Sequence, residues 1–100
     1  MVDLLLLETI DDQWMHGWAL MHQLRERSDD VLDLPEGTLY PALHRLRNAG
    51  CLDWRDERVD GRNRRYYRIT ENGREHLAVE RESWRQLKTA VDAIQSRKAH

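Results

Sequence analysis

The sequence predicts a mainly helical fold with one small β-hairpin and a long final helix. Apolar residues recur at helical spacing in three short segments before Gly50, the pattern switches to alternation between Cys51 and Ile69, and a charged amphipathic segment then runs almost to the end of the chain.

Leu4–Ile10 reads Leu-Leu-Leu-Leu-Glu-Thr-Ile, an apolar density that suits a short helix buried on most sides, with Asp3 placed as its N-cap. Asp11–Gln13 is a polar break. Gly17 opens a second amphipathic helix, in which Leu20, Met21 and Leu24 share a face and the charged stretch Arg25–Asp30 ends the element. After Leu34-Pro35 a third helix is predicted over Glu36–Ala49. Leu39, Ala42, Leu43 and Leu46 fall at i, i+3, i+4 and i+7, and Gly50 is well placed to end the helix in a left-handed conformation.

From Cys51 the period is two. Leu52 and Trp54 alternate with polar neighbours, Asp60-Gly61 is a hairpin turn signal, and Arg65, Tyr67 and Ile69 alternate with Arg64, Tyr66 and Arg68 on the return strand. An isolated hairpin is marginal in water, so Leu52, Tyr67 and Ile69 must lean on the helices, leaving Arg58–Arg64 to project as a loop. Thr70 can cap a last helix from about Asn72 to Ser96, roughly 35 Å long. On it Leu77, Trp84 and Val91 stand a heptad apart, with Leu87 and Ile94 at the alternating position and Glu80 interrupting the seam. This stripe outruns any partner in so short a chain and predicts dimerisation. The ensemble is a winged helix-turn-helix over residues 1–71 with a C-terminal dimerisation helix over 72–100, one compact unit.

A chain of 100 residues with 40% hydrophobic and 34% charged residues supports one core, completed by a partner chain. No apolar run approaches the roughly 20 residues of a membrane span, and Leu4–Leu7, flanked by acids, is not a secretory signal, so the chain is expected to remain cytoplasmic. The single Cys51 excludes an intrachain disulfide, and its place between Gly50 and Leu52 reads as a small buried filler rather than a redox thiol. The net charge of −2 conceals a gradient: residues 1–33 hold two Arg against eight acids, whereas 34–68 hold eight Arg against five. Within Arg62–Arg68 four of seven residues are Arg and none is acidic, so a local positive surface can exist on an acidic protein.

Catalysis finds no constellation. His16, His22, His44, His76 and His100 form no HExxH motif, no paired i,i+4 ligand set and no Cys-His spacing, and there is no glycine-rich phosphate loop or nucleophile elbow, so neither enzyme activity, metal nor cofactor is expected. The third helix offers something else. With Leu39, Leu43 and Leu46 inward, its outer face presents Gly37, Thr38, Pro41, His44, Arg45 and Asn48, with Tyr40 on the flank, groups able to meet base edges and phosphates. Pro41 cannot donate to the Gly37 carbonyl, which is expected to loosen the first turn and let Thr38 and Tyr40 approach a DNA backbone. Arg62, Arg64 and Arg65 follow on the hairpin within reach of flanking phosphates. Two features thus predict one surface for double-stranded DNA. The rival from another class is a winged-helix protein-interaction module without DNA binding, consistent with the acidic first third.

The strings Gly37-Thr38-Leu39-Tyr40-Pro41-Ala42-Leu43-His44-Arg45-Leu46 and Arg64-Arg65-Tyr66-Tyr67-Arg68-Ile69-Thr70-Glu71-Asn72-Gly73, with His16-Gly17-Trp18 before them, resemble the PadR family of transcriptional regulators. The resemblance covers nearly the whole chain. It implies a homodimer that usually represses genes and is often released by a small molecule. Carried over by position, it places Thr38, Tyr40, Pro41, His44 and Arg45 on the operator, with Asn63, Arg64 and Arg65 in the wing. Trp84 matches a tryptophan that multidrug-sensing members stack on flat aromatic ligands, which implies a small aromatic effector held there. Relatives usually carry several more residues before the first helix and a glycine-proline pair where this chain has Asp11-Asp12-Gln13-Trp14, so a shortened N-terminus and a different turn geometry are expected.

Overall fold

A computed structural model describes residues 1–98; Ala99 and His100, which the sequence pattern counts with the last helix, lie outside the described residues. In chain order the elements are α1 (Val2–Thr9), β1 (Met15–His16), α2 (Gly17–Arg27), α3 (Glu36–Asn48), β2 (Leu52–Val59), β3 (Arg62–Ile69) and α4 (Glu71–Lys98). The core is built of leucine: Leu6, Leu7, Leu20, Leu39, Leu43, Leu46 and Leu52 are the largest fully buried side chains, drawn from α1, α2, α3 and β2. Cys51 is the buried filler its neighbours predict, and burial raises its thiol pKa above the ordinary value.

The predicted helices are present, with adjusted ends. Asp3 does not cap α1; the helix starts at Val2, and the Asp3 carboxylate turns inward to pair with Arg45 of α3. His16 caps α2, its Nδ1 accepting from the Trp18 N–H at 3.3 Å. After α2 the chain reverses through Asp29 and Asp30, both at positive φ, and the Ser28 hydroxyl steadies the turn by donating to the Arg25 carbonyl and accepting from the Leu32 N–H. α3 runs unbroken through Pro41. It ends as predicted: Gly50 sits at φ +77, its N–H donating to Arg47 at 3.0 Å while the Cys51 N–H donates to Leu46 at 2.9 Å, which satisfies two terminal carbonyls.

The hairpin turns through Asp60 (φ 51) and Gly61 (φ 77), the pair of left-handed residues that suits the twist of two tightly joined strands. Pairing continues from Leu52↔Ile69 to Val59↔Arg62. The expected projecting loop Arg58–Arg64 is therefore strand except for its two-residue tip. The sheet also has a third member that no alternation announces. Met15 and His16 pair antiparallel with Tyr67 and Tyr66, giving the order β1-β3-β2, and the Asp11 carbonyl accepts from the Ile69 N–H at 3.2 Å. A two-residue strand is too short to carry a period, yet it gives β3 a partner on each side and so steadies the wing.

Thr70 caps α4 as predicted, its hydroxyl accepting from the Gly73 N–H at 3.0 Å, and it also donates to the Gly50 carbonyl at 2.6 Å, tying the start of α4 to the end of α3. Gly73 permits that approach: a Cβ there would stand 2.1 Å from the Cys51 carbonyl oxygen. Leu77, expected on the dimerisation stripe, lies instead in the intrachain core at 8% exposure, because the first turns of α4 pack on α1 and β3. From Arg81 to Lys98 every residue is exposed, and the molecule is drawn out to 62 × 28 × 21 Å. No described helix is long and apolar enough to cross a membrane.

Candidate nucleic-acid interface

Leu39, Ala42, Leu43 and Leu46 pin one face of α3 into the core, which leaves Thr38, Pro41, His44 and Arg45 exposed and Tyr40 at 39% exposure. Gly37 opens onto empty space, since a Cβ there would meet nothing within 4 Å, so packing does not demand a glycine at that place. The face mixes polar Thr38, His44 and Arg45 with the apolar edges of Tyr40 and Pro41.

Trp54 joins this helix to the wing. Half-buried on β2 opposite Tyr67, its ring receives the edge of His44 at 4.7 Å, the Arg47 guanidinium at 4.6 Å and the Arg65 guanidinium at 4.0 Å, with the Tyr67 ring edge-on at 6.1 Å. A flat, electron-rich face attracts cations and orients them. One indole therefore gathers an imidazole and a guanidinium from α3, a turn apart on the helix, and a guanidinium from β3. A second platform lies beside the wing, where Trp14 receives Arg55 at 4.7 Å and Arg68 at 4.5 Å.

The strand register divides the arginine run. By register Asn63 and Arg65 share the Trp54 face and Arg62 and Arg64 the other; Arg62, Asn63 and Arg64 together line an open groove with His16 and Trp18. Burial, and then the charge of Arg64, push the His16 pKa below its ordinary value. Arg65 grips Asp56 through two bonds, Nε to Oδ1 at 2.8 Å and Nη2 to Oδ2 at 3.2 Å, and this holds the Asp56 carboxyl below its usual range. Arg45 is likewise engaged, with Asp3. Among the described residues no carboxylate pairs with Arg47, Arg58, Arg62 or Arg64. Of the predicted wing contacts Asn63 and Arg64 are thus open to a phosphate, while Arg65 serves first as a brace between Trp54 and Asp56.

Sequence patterning misses Trp54, Arg47, Trp14, His16 and Trp18 as parts of this surface. Each acts through a contact between elements, and the only hint is the interleaving of tryptophan with arginine. At the far end of the molecule Trp84, Leu87, Val91 and Ile94 are 44, 52, 42 and 63% exposed on α4. Trp84 also borders an apolar groove with Met1, Leu4, Leu5 and Leu32.

Residues 6–79 match the Transcriptional regulator PadR-like family. A transcriptional regulator of Mycobacterium tuberculosis is 39% identical over 98 residues, covering 98% of this chain and 89% of that protein. Among solved structures, a transcriptional regulator from Clostridium thermocellum superposes with a TM-score of 0.83 at 26% identity, covering 91% of this chain and 89% of its own. A PadR family transcription regulator from Clostridium difficile superposes at 0.76 with 27% identity, over 93% and 96% of the two chains.

Proposed function

This chain belongs to the PadR-like family of transcriptional regulators, and from that premise we propose that it binds double-stranded operator DNA as a cytoplasmic homodimer. Helix α3 enters the major groove with Thr38, Tyr40, Pro41, His44 and Arg45 outward, and the β2–β3 wing lays Asn63, Arg64 and Arg62 along the neighbouring phosphates. The observation that carries this reading is the cluster on Trp54, which brings His44 and Arg47 of α3 and Arg65 of β3 around a single ring and so ties the helix to the wing.

Dimerisation rests on the exposed stripe Trp84, Leu87, Val91 and Ile94, an apolar face on a helix half whose residues are all exposed. Regulation is repression, with release by a small planar aromatic molecule stacked on Trp84 at the mouth of its apolar groove. Selection of bound DNA from a random pool tests the proposal. A dimer enriches two half-sites about one helical turn apart; recovery of no preferred sequence over competitor DNA would leave an interaction module instead. Quenching of Trp fluorescence by planar aromatics, absent in Trp84→Phe, tests the effector.

A further inference from the structure

Asp3 of α1 and His76 and Glu80 of α4 converge on one point at the junction of the DNA-binding domain and the long helix. The His76 Nε2 stands 3.3 Å from Asp3 Oδ2 and 3.6 Å from Glu80 Oε1, and all three donor atoms lie within 4.8 Å of one another. A tetrahedral ion with bonds of about 2.1 Å separates its ligands by about 3.4 Å. Two of the three separations already match that edge, and a small rotation of either carboxylate closes the third. His76 and Glu80 are one helical turn apart on the same face of α4, and all three side chains are partly shielded, with exposures of 22, 34 and 26% for Asp3, His76 and Glu80. Two carboxylates against the one guanidinium of Arg45 leave the cluster net negative. The imidazole distinguishes it from an all-oxygen site and favours borderline transition ions over magnesium or calcium.

We propose that Asp3, His76 and Glu80 form a binding site for a divalent cation of the zinc class, with water in the fourth position, and that its occupation competes with Arg45 for the Asp3 carboxylate. Arg45 Nη2 now pairs with Asp3 Oδ1 while Oδ2 faces His76. An ion bound to Asp3 neutralises the charge that holds Arg45, and the guanidinium turns outward on the exposed face of α3. The site thus links α1 and α4 to the helix read as DNA-facing; that link rests on the proposed function, whereas the site itself does not.

Cobalt(II) is the probe. Titrated into the full chain with excess magnesium present, it should give the intense visible bands of tetrahedral coordination without a thiolate charge-transfer band, since the ligands are nitrogen and oxygen. His76→Gln and Glu80→Gln, separately, should each weaken binding by at least about tenfold while leaving the helical circular dichroism unchanged. Bands no stronger than those of the hydrated ion, or equal affinity in wild type and both variants, would overturn the site. DNA affinity measured with and without cobalt(II) reads the link: several-fold tighter binding with the ion, abolished in Arg45→Ala although the visible bands persist, supports the competition. Unchanged DNA affinity with the bands present overturns it, and loss of all DNA binding in metal-competent protein would instead overturn the function proposed above.

Discussion

Replacing Trp54 by leucine removes the joint between α3 and the wing while restoring part of the buried apolar surface. The ring makes edge contacts with His44 and Tyr67, worth about 0.5–1.5 kcal/mol each beyond area burial. It also makes two cation–π contacts, with Arg47 and Arg65, worth about 0.5–1 kcal/mol each near the surface. These four terms share one side chain and do not add fully, so the expected loss is about 2 kcal/mol. For a chain of this size that lowers the melting temperature by about 10 °C. Urea unfolding at a fixed protein concentration reads the loss as a lower midpoint at unchanged slope. Affinity for a selected operator, measured well below the new midpoint, should fall at least about tenfold, because His44, Arg47 and Arg65 lose their common support. An unchanged midpoint together with unchanged affinity would refute the idea that Trp54 couples the two DNA-facing elements.

Gly73→Ala gains about 1 kcal/mol of helix propensity, but the new Cβ stands 2.1 Å from the Cys51 carbonyl oxygen and 2.6 Å from Ile69 Cγ1; a net loss of about 2 kcal/mol or more is expected in thermal unfolding, and a stabilised variant would contradict the close approach of α4 to Cys51 and β3. Burial pushes the Asp3 pKa up, but the bonds and charges of Arg45 and His76 outweigh it and hold the pKa below its ordinary 3.8, so this group's stabilisation is present above that value and is lost as pH falls from there through the lowered pKa of the folded state. Asp3→Asn should therefore be less stable than wild type at neutral pH, with the difference shrinking as pH falls below about 4; a difference that stays constant under acid would show that the carboxylate charge is not the source. Val91→Glu places a charge in the exposed stripe of α4 and should convert the proposed dimer to monomer in sedimentation equilibrium without loss of helical signal, whereas a persistent dimer would move the interface elsewhere.

Much of the fold is legible because it is local. The leucines of α3, the Gly50 stop, the Asp60-Gly61 turn and the Thr70 cap each depend on neighbours a few residues away, and all stand where the pattern puts them. What the sequence hides is non-local. β1 is too short to carry a period, Leu77 belongs to the core because α4 docks on α1, and Asp3 serves Arg45 and His76 across 42 and 73 positions instead of capping its own helix. The candidate surface divides the same way. The α3 face is readable from helical periodicity, but the split of Arg62 and Arg64 from Asn63 and Arg65 requires the register of β2 on β3, and the role of Trp54 requires knowing which arginines reach its ring. The cluster at Asp3, His76 and Glu80 escapes a search for paired histidines because it holds only one, and its third member lies 73 positions from His76.

The central claim, that the wing arginines and α3 form one DNA-binding surface, is tested most directly by the salt dependence of operator binding in wild type and in the double variant Arg62→Ala, Arg64→Ala. Each phosphate contact contributes about 0.9 to the slope of log affinity against log salt. The wild-type slope should be steep, and the double variant should flatten it by about two while its unfolding midpoint stays in place. Equal slopes in the two proteins would take the wing off the DNA and contradict the account.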